Sequence, residues 1–246
     1  MWKRTDAQMK NKTLFILTTL LIALMLSSCQ QDEKEPAKES KASAENKANN
    51  HTTADKNGFT ADDKVVTIEG KVLSYEDLQF YQLMNKVEIE LNRQQDEQKL
   101  QEDELKDKQA YWDEQLKYHD NFNVNLSKMI EQHSMYLLAM EKGLKAEGNA
   151  VSGAIKEFSA KVEKYEPAAK LVADFPEDAY QNRLNSFFTE KLLTQQIYAI
   201  LKTDAAKEKP NASEKELAYD TSKNYEELYQ SQIASLDIKI NAAEKE

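Results

Sequence analysis

From residue 74 onward, apolar side chains recur at helical spacing. Leu78, Tyr81, Met84, Val87 and Leu91 fall along one side of a helix, and Phe80 and Leu83 widen that face. Ser74 stands ahead of it as a cap, with Asp77 three residues on. A second helix is predicted over residues 123–145, where Leu126, Ile130, His133, Leu137, Met140 and Leu144 form a packing seam. Residues 143–148, bounded by two glycines, end it. Val151, Ile155, Phe158, Val162 and Tyr165 repeat the seam on a shorter scale until Pro167. Asp174 is expected to cap the next helix, whose face carries Tyr180, Leu184, Phe187, Phe188, Leu192, Tyr198 and Leu201. After Pro210, Ser213 and Glu216 form a capping box for a last helix with Leu217, Tyr225, Leu228, Tyr229 and Ile233. Short β-branched or alternating runs flank this helical stretch: Val65, Val66, Thr67 and Ile68, followed by a turn at Glu69, Gly70 and Lys71, and then residues 236–240 near the other end. The predicted fold is mainly α, a bundle of about five to six helices.

Two stretches depart from this pattern. Residues 92–109 contain only Leu100 and Leu105 as apolar positions, yet nothing there breaks a helix. They read as a solvated helix extension or an inter-helix loop, with a protruding arm as the sharper alternative. Residues 30–64 hold one aromatic, Phe59, and no Leu, Ile or Met, with Val absent as well. So little apolar surface cannot offset the entropy of ordering, and a disordered tether is expected over residues 29–63.

The first 28 residues have another character. Lys10 and Lys12 precede an apolar run from Leu14 to Leu26, too short for the roughly 20 residues of a membrane-spanning helix. Leu26, Ser27, Ser28 and Cys29 then resemble the lipobox of bacterial lipoproteins. That resemblance implies diacylglyceryl transfer to the Cys29 sulfur, cleavage before it, and a membrane anchor on the extracytoplasmic face. The eight residues before Met9 are unusual ahead of such a leader, and a start at Met9 is the alternative. Residues 64–241 are then the folded domain and residues 242–246 a tail.

Charge narrows the partners. The net charge is −10, and the first 28 residues contribute Lys3, Arg4, Lys10 and Lys12 against Asp6, so a chain cut before Cys29 carries −13. Such a chain is repelled by nucleic-acid phosphates. Cys29 is the only cysteine, so no intrachain disulfide or cysteine-based metal site is available. Gly and Pro number 5 and 4, which suits a helical chain.

No catalytic constellation stands out, and no enzyme activity, cofactor or metal is expected. There is no nucleophile elbow and no phosphate-cradling glycine loop. His51 falls in the tether, His119 has only scattered acids nearby, and His133 reads as a hydrogen-bonded core or boundary residue.

The order of short strand, Gly turn and Ser-capped helix carries a family resemblance. Val65-Val66-Thr67-Ile68-Glu69-Gly70 with Ser74-Tyr75-Glu76-Asp77-Leu78 resembles the opening of the SurA and PrsA N-terminal chaperone domain. Leu138-Ala139-Met140-Glu141-Lys142-Gly143-Leu144, then Val151-Ser152, is similar to an inner junction of that family. Ser213-Glu214-Lys215-Glu216-Leu217 with Tyr225 resembles its next helix. The match spans roughly residues 64–240 through short motifs. The link at residues 145–150 is longer than usual, residues 92–109 look inserted, and no Gly-rich parvulin isomerase segment follows. The resemblance implies pairing of the first and last strands. It also implies a chaperone lobe without prolyl isomerase activity that binds unfolded or newly exported polypeptides. Tyr111, Trp112, Phe187, Phe188 and Tyr198 are the candidate client-binding rings, since aromatics offer large apolar area at low entropy cost. The competing expectation is a structural or adaptor lipoprotein whose helices dock one envelope or spore partner.

Overall fold

The structure, a computed structural model, describes residues 58–241. Seven helices and three strands follow one another among these residues. Strands β1 (Lys64–Ile68) and β2 (Lys71–Ser74) lead into helices α1 (Tyr75–Lys99), α2 (Glu102–Tyr118) and α3 (Phe122–Glu141). Next come α4 (Gly148–Val162), α5 (Glu166–Ala173), α6 (Glu177–Glu208) and α7 (Glu214–Ser235), and strand β3 (Ile238–Ile240) closes the order. The described chain divides into two compact units, residues 58–197 with 228–241, and residues 198–227.

In the larger unit the strands form one antiparallel sheet in the order β2-β1-β3. The expected pairing of the first and last strands is there, with Val66 opposite Ile240, Thr67 opposite Lys239 and Ile68 opposite Ile238. Strand β2 begins directly after the Gly turn, where the sequence pattern marks no strand. Residues 71–74 make a hairpin with β1 through a two-residue turn in which Glu69 (φ 48°) and Gly70 (φ 80°) both take positive φ. That is the turn whose twist matches the two strands, and it strains a non-glycine residue at its first position. Glu69 is held there by Asp237, the residue before β3: its N–H donates to the Asp237 carbonyl at 3.0 Å, and its Oε1 accepts from the Asp237 N–H at 2.6 Å.

Helix α1 is the centre of this unit. Ser74 caps it in a capping box with Asp77. Leu78, Phe80, Tyr81, Leu83, Met84, Val87 and Leu91 are all buried, as their spacing predicted. The helix packs on β1, β2, α2, α3, α4 and α5. Helix α3 is rolled relative to the predicted seam. Leu126 and His133 are buried, but Met129, Met135, Leu138 and Ala139 are buried as well, and Met140 is 50% exposed. Asn125 and Ser134 share the buried side, which a purely apolar period passes over. Gly143, at φ 72°, ends α3, with the Leu144 N–H reaching back to the Ala139 carbonyl at 2.9 Å.

Three boundaries differ from expectation. Phe59 was assigned to the tether but is 4% exposed, stacked on Tyr75 and Phe122 at 5.1 and 5.4 Å. Residues 58–63 therefore belong to the folded unit, because one aromatic in a polar stretch suffices to dock it. Asp174 ends α5 and does not begin α6, which starts after Pro176. Residues 92–109 divide between two helices that break at Leu100 and fold back on each other. Along that hairpin the Trp112 Nε1–H donates to Asp96 at 2.9 Å, Arg93 meets Asp113 at 2.5 Å and Lys86 meets Asp120 at 2.5 Å.

The smaller unit holds the end of α6 and the start of α7, joined by the turn at Pro210. Ser213 and Glu216 form the predicted capping box, Lys209 meets Asp220 at 2.6 Å, and the Tyr198 and Tyr225 rings lie 6.0 Å apart.

Candidate functional site

Four of the five candidate client-binding rings are buried. Phe187 is 5% exposed and stands edge-on to Phe80, Tyr81 and Phe188 at 5.4–5.7 Å. Phe188 is equally buried and meets Phe158 at 5.3 Å. These two rings are the heart of the larger unit's core, where each such pair contributes about 0.5–1.5 kcal/mol beyond the area it buries. Trp112 is buried against α1, and Tyr111 beside it is partly exposed under the Lys108 ammonium. Tyr198, also buried, belongs to the smaller unit. Sequence spacing put the rings on the right helix faces. It could not say that neighbouring helices would cover those faces. Cys29, Leu26, Ser27, Ser28 and His51 lie outside the described residues.

The most concentrated chemistry in the larger unit is a buried polar cluster around Glu190 on α6. The Glu190 carboxylate, 5% exposed, accepts from the Tyr81 hydroxyl of α1 at 2.8 Å. It lies 3.0 Å from Nδ1 of His133 on α3, itself 1% exposed, and 3.3 Å from the Lys71 ammonium of β2. Three elements thus converge on a carboxylate carried by a fourth. Burial alone would raise the Glu190 pKa. The hydrogen bond and charge of His133, the Lys71 ammonium and the Tyr81 hydroxyl together outweigh burial and hold it below the usual 4.5. The Tyr81 hydroxyl is pushed well above 10.0, first by burial and then by the Glu190 charge. His133 was read correctly as a hydrogen-bonded core residue. Glu190 was missed, although it sits three residues after Phe187 on the buried stripe that continues to Leu193 and Ile197. A carboxylate on an apolar stripe was the available signal.

The cluster is closed: Lys71, with half of its side chain exposed, is its only member in substantial contact with solvent. It ties β2, α1, α3 and α6 together through one carboxylate. Lys71 anchors the hairpin to α6 much as Arg183 anchors α6 to the start of α1, through Glu76 at 2.7 Å and Asp77 at 2.8 Å.

His119 serves structure in the same way. Its carbonyl accepts from Gln82 and Asn125, and Nδ1 faces Asn125 Oδ1 at 3.1 Å, while burial lowers its pKa. Among the described residues no group of three or more His, Cys, Asp or Glu side chains could hold a metal ion. No helix among them is long and apolar enough to cross a membrane. Among the described residues of the larger unit the exposed large apolar side chains are Val72, Tyr118, Met140 and Ile240, with Ile240 the most open at 63%. Comparison of the chain with protein-family models, with curated proteins and with solved structures returned no match.

Proposed function

We propose that the chain is a lipid-anchored extracytoplasmic chaperone of the SurA and PrsA N-terminal type, which holds unfolded or newly exported polypeptides without isomerising prolyl bonds. The observation that carries this reading is the antiparallel pairing of β1 with β3, the first and last strands of the described chain. It is the closure that the sequence resemblance implied, starting from a Gly turn and a Ser-capped helix. Burial of four of the five candidate rings removes them as the client surface. Capture then falls to features at the surface, with micromolar affinity, about −8 kcal/mol, so that clients can leave. The same burial favours a second reading, an adaptor lipoprotein with a closed body that docks one specific partner.

The test is aggregation of several unrelated, chemically unfolded proteins in the presence of the full chain in mild detergent. Delayed aggregation of all of them at near-stoichiometric amounts supports the chaperone. No delay, together with saturable binding to one envelope protein, supports the adaptor. The anchor is tested separately. A diacylglyceryl group contributes about 0.8 kcal/mol per buried CH₂, so Cys29→Ala is expected to leave the membrane fraction. Unchanged retention would refute the lipidation.

A further inference from the structure

The geometry points to the outer edge of β3, which no strand among the described residues covers, as a docking strand for an extended, largely apolar polypeptide segment. This deepens the polypeptide-holding role proposed above and rests on it.

Two hydrogen bonds fix which backbone groups β3 leaves open. The Glu69 N–H donates to the Asp237 carbonyl, and the Asn241 N–H donates to the Val65 carbonyl, each within 3.0 Å. Antiparallel ladders alternate between bonded and non-bonded pairs. Thr67 and Lys239, midway between those contacts, are therefore the bonded pair. Ile238 and Ile240 sit opposite Ile68 and Val66 at non-bonded positions. Their N–H and C=O groups point away from β1, toward the side of the sheet where the order β2-β1-β3 ends. Two donors and two acceptors thus lie along an edge, at the spacing that accepts one more strand.

The side chains at this edge select the occupant. Ile240 shares the core-facing side with Val66 and Leu73, which are 0% and 5% exposed, yet is itself 63% exposed. The core covers the inner face over β1 and reaches Ile238, but leaves Ile240 open. An added strand would set its own apolar side chains beside Ile238 and Ile240 there. Lys239 points to the opposite face and holds Asp237 at 2.8 Å. A second copy of this chain pairing edge to edge about Lys239 would bring two lysines directly opposite each other, which is destabilising. The short strand and its central lysine are also the usual guards against self-association. A heterologous segment that is apolar at alternate positions, with a neutral or acidic residue opposite Lys239, meets neither obstacle.

Ile240→Pro tests this, because proline there removes an outward N–H and leaves the bonds of Thr67 and Lys239 to β1 intact. The probe is a fluorescein-labelled alternating Val-Thr peptide, followed by anisotropy with the full chain in mild detergent. The expected result is saturable binding that weakens about tenfold or more in Ile240→Pro, equivalent to ~1.4 kcal/mol, with an unchanged thermal midpoint. The same peptide N-methylated at alternate amides should bind the unaltered chain at least as weakly, which tests the edge even where the proline variant folds poorly. Equal binding by variant and parent, tight binding of the N-methylated peptide, or no binding at all would overturn the assignment. A concentration-dependent dimer that Ile240→Pro abolishes would overturn it too, since the occupant would then be a second copy. If Ile240→Pro suppresses aggregation as well as the parent, the edge is refuted while the chaperone reading stands. If the parent binds the peptide but suppresses no aggregation, the edge is supported and the chaperone reading falls.

Discussion

Replacing Glu190 by Gln keeps the shape of a buried side chain and deletes its charge. Three groups converge on that carboxylate: the Tyr81 hydroxyl at 2.8 Å, His133 Nδ1 at 3.0 Å and the Lys71 ammonium at 3.3 Å. Hydrogen bonds to a charged partner contribute about 1.5–3 kcal/mol each. The Lys71 contact is discounted to about 0–1 kcal/mol, because its side chain is half exposed and screened by water. A glutamine can still accept from Tyr81 but loses the charge that faces His133. The expected cost is therefore about 2–3 kcal/mol, and about 3–5 kcal/mol for Glu190→Ala, which leaves the buried partners without their acceptor. Urea unfolding followed by far-UV circular dichroism at neutral pH measures this, read with an unchanged slope. The pH dependence adds a second check. Glu190 has a depressed pKa in the folded chain, so its contribution is fully present above the ordinary value of 4.5 and is lost as the pH falls below that value. The gap between parent and Glu190→Gln should accordingly narrow on acidification. A gap below about 0.5 kcal/mol at neutral pH would refute the reasoning, since that lies within the range of ordinary surface changes. So would a gap that widens in acid.

Phe80→Ala should destabilise the larger unit by about 3–5 kcal/mol, since the ring is 1% exposed and packed against Phe175, Tyr180 and Phe187; denaturant titration reads this directly. Gly70→Ala adds no clash, because nothing lies within 4 Å of the new Cβ, but φ at 80° strains it. Thermal unfolding should show a loss of about 1–2 kcal/mol, against a gain of about 0.5–1 kcal/mol for Gly153→Ala, a helical site that is equally open. Ser74→Ala removes the acceptor for the Asp77 N–H and should cost about 0.5–2 kcal/mol by the same measurement.

The helical part of the fold was legible because α1 and α6 carry long apolar runs whose period survives burial. Leu78, Met84, Leu184 and Phe187 are where their spacing put them. The strand pairing was an expectation of the resemblance, and the register bears it out. Other features depended on partners remote in sequence. Strand β2 is four residues long and has Lys71 and Val72 exposed, so nothing in its own composition marks it apart from the turn before it. Phe59 looked isolated because its ring partners, Tyr75 and Phe122, lie in other elements. The roll of α3 followed from Asn125 and Ser134, polar residues that an apolar count assigns to solvent. Asn125 is buried because it donates to two carbonyls at 2.8 and 2.9 Å. For the candidate rings, periodicity marks a face as apolar without saying what lies against it. An open groove and a filled core share the same spacing.

The hydrogen bond from Thr67 to Asn241 joins residues 174 positions apart. A chain that is synthesised from its N-terminal side can make the β1–β2 hairpin early. It cannot complete the sheet until everything between has emerged. Until then β1, with Val65, Val66 and Ile68 destined for full burial, stays open along one flank. Closure by β3 is thus a late, long-range step in maturation, and a nascent molecule stalled just short of Ile238 would keep its most adhesive strand uncovered.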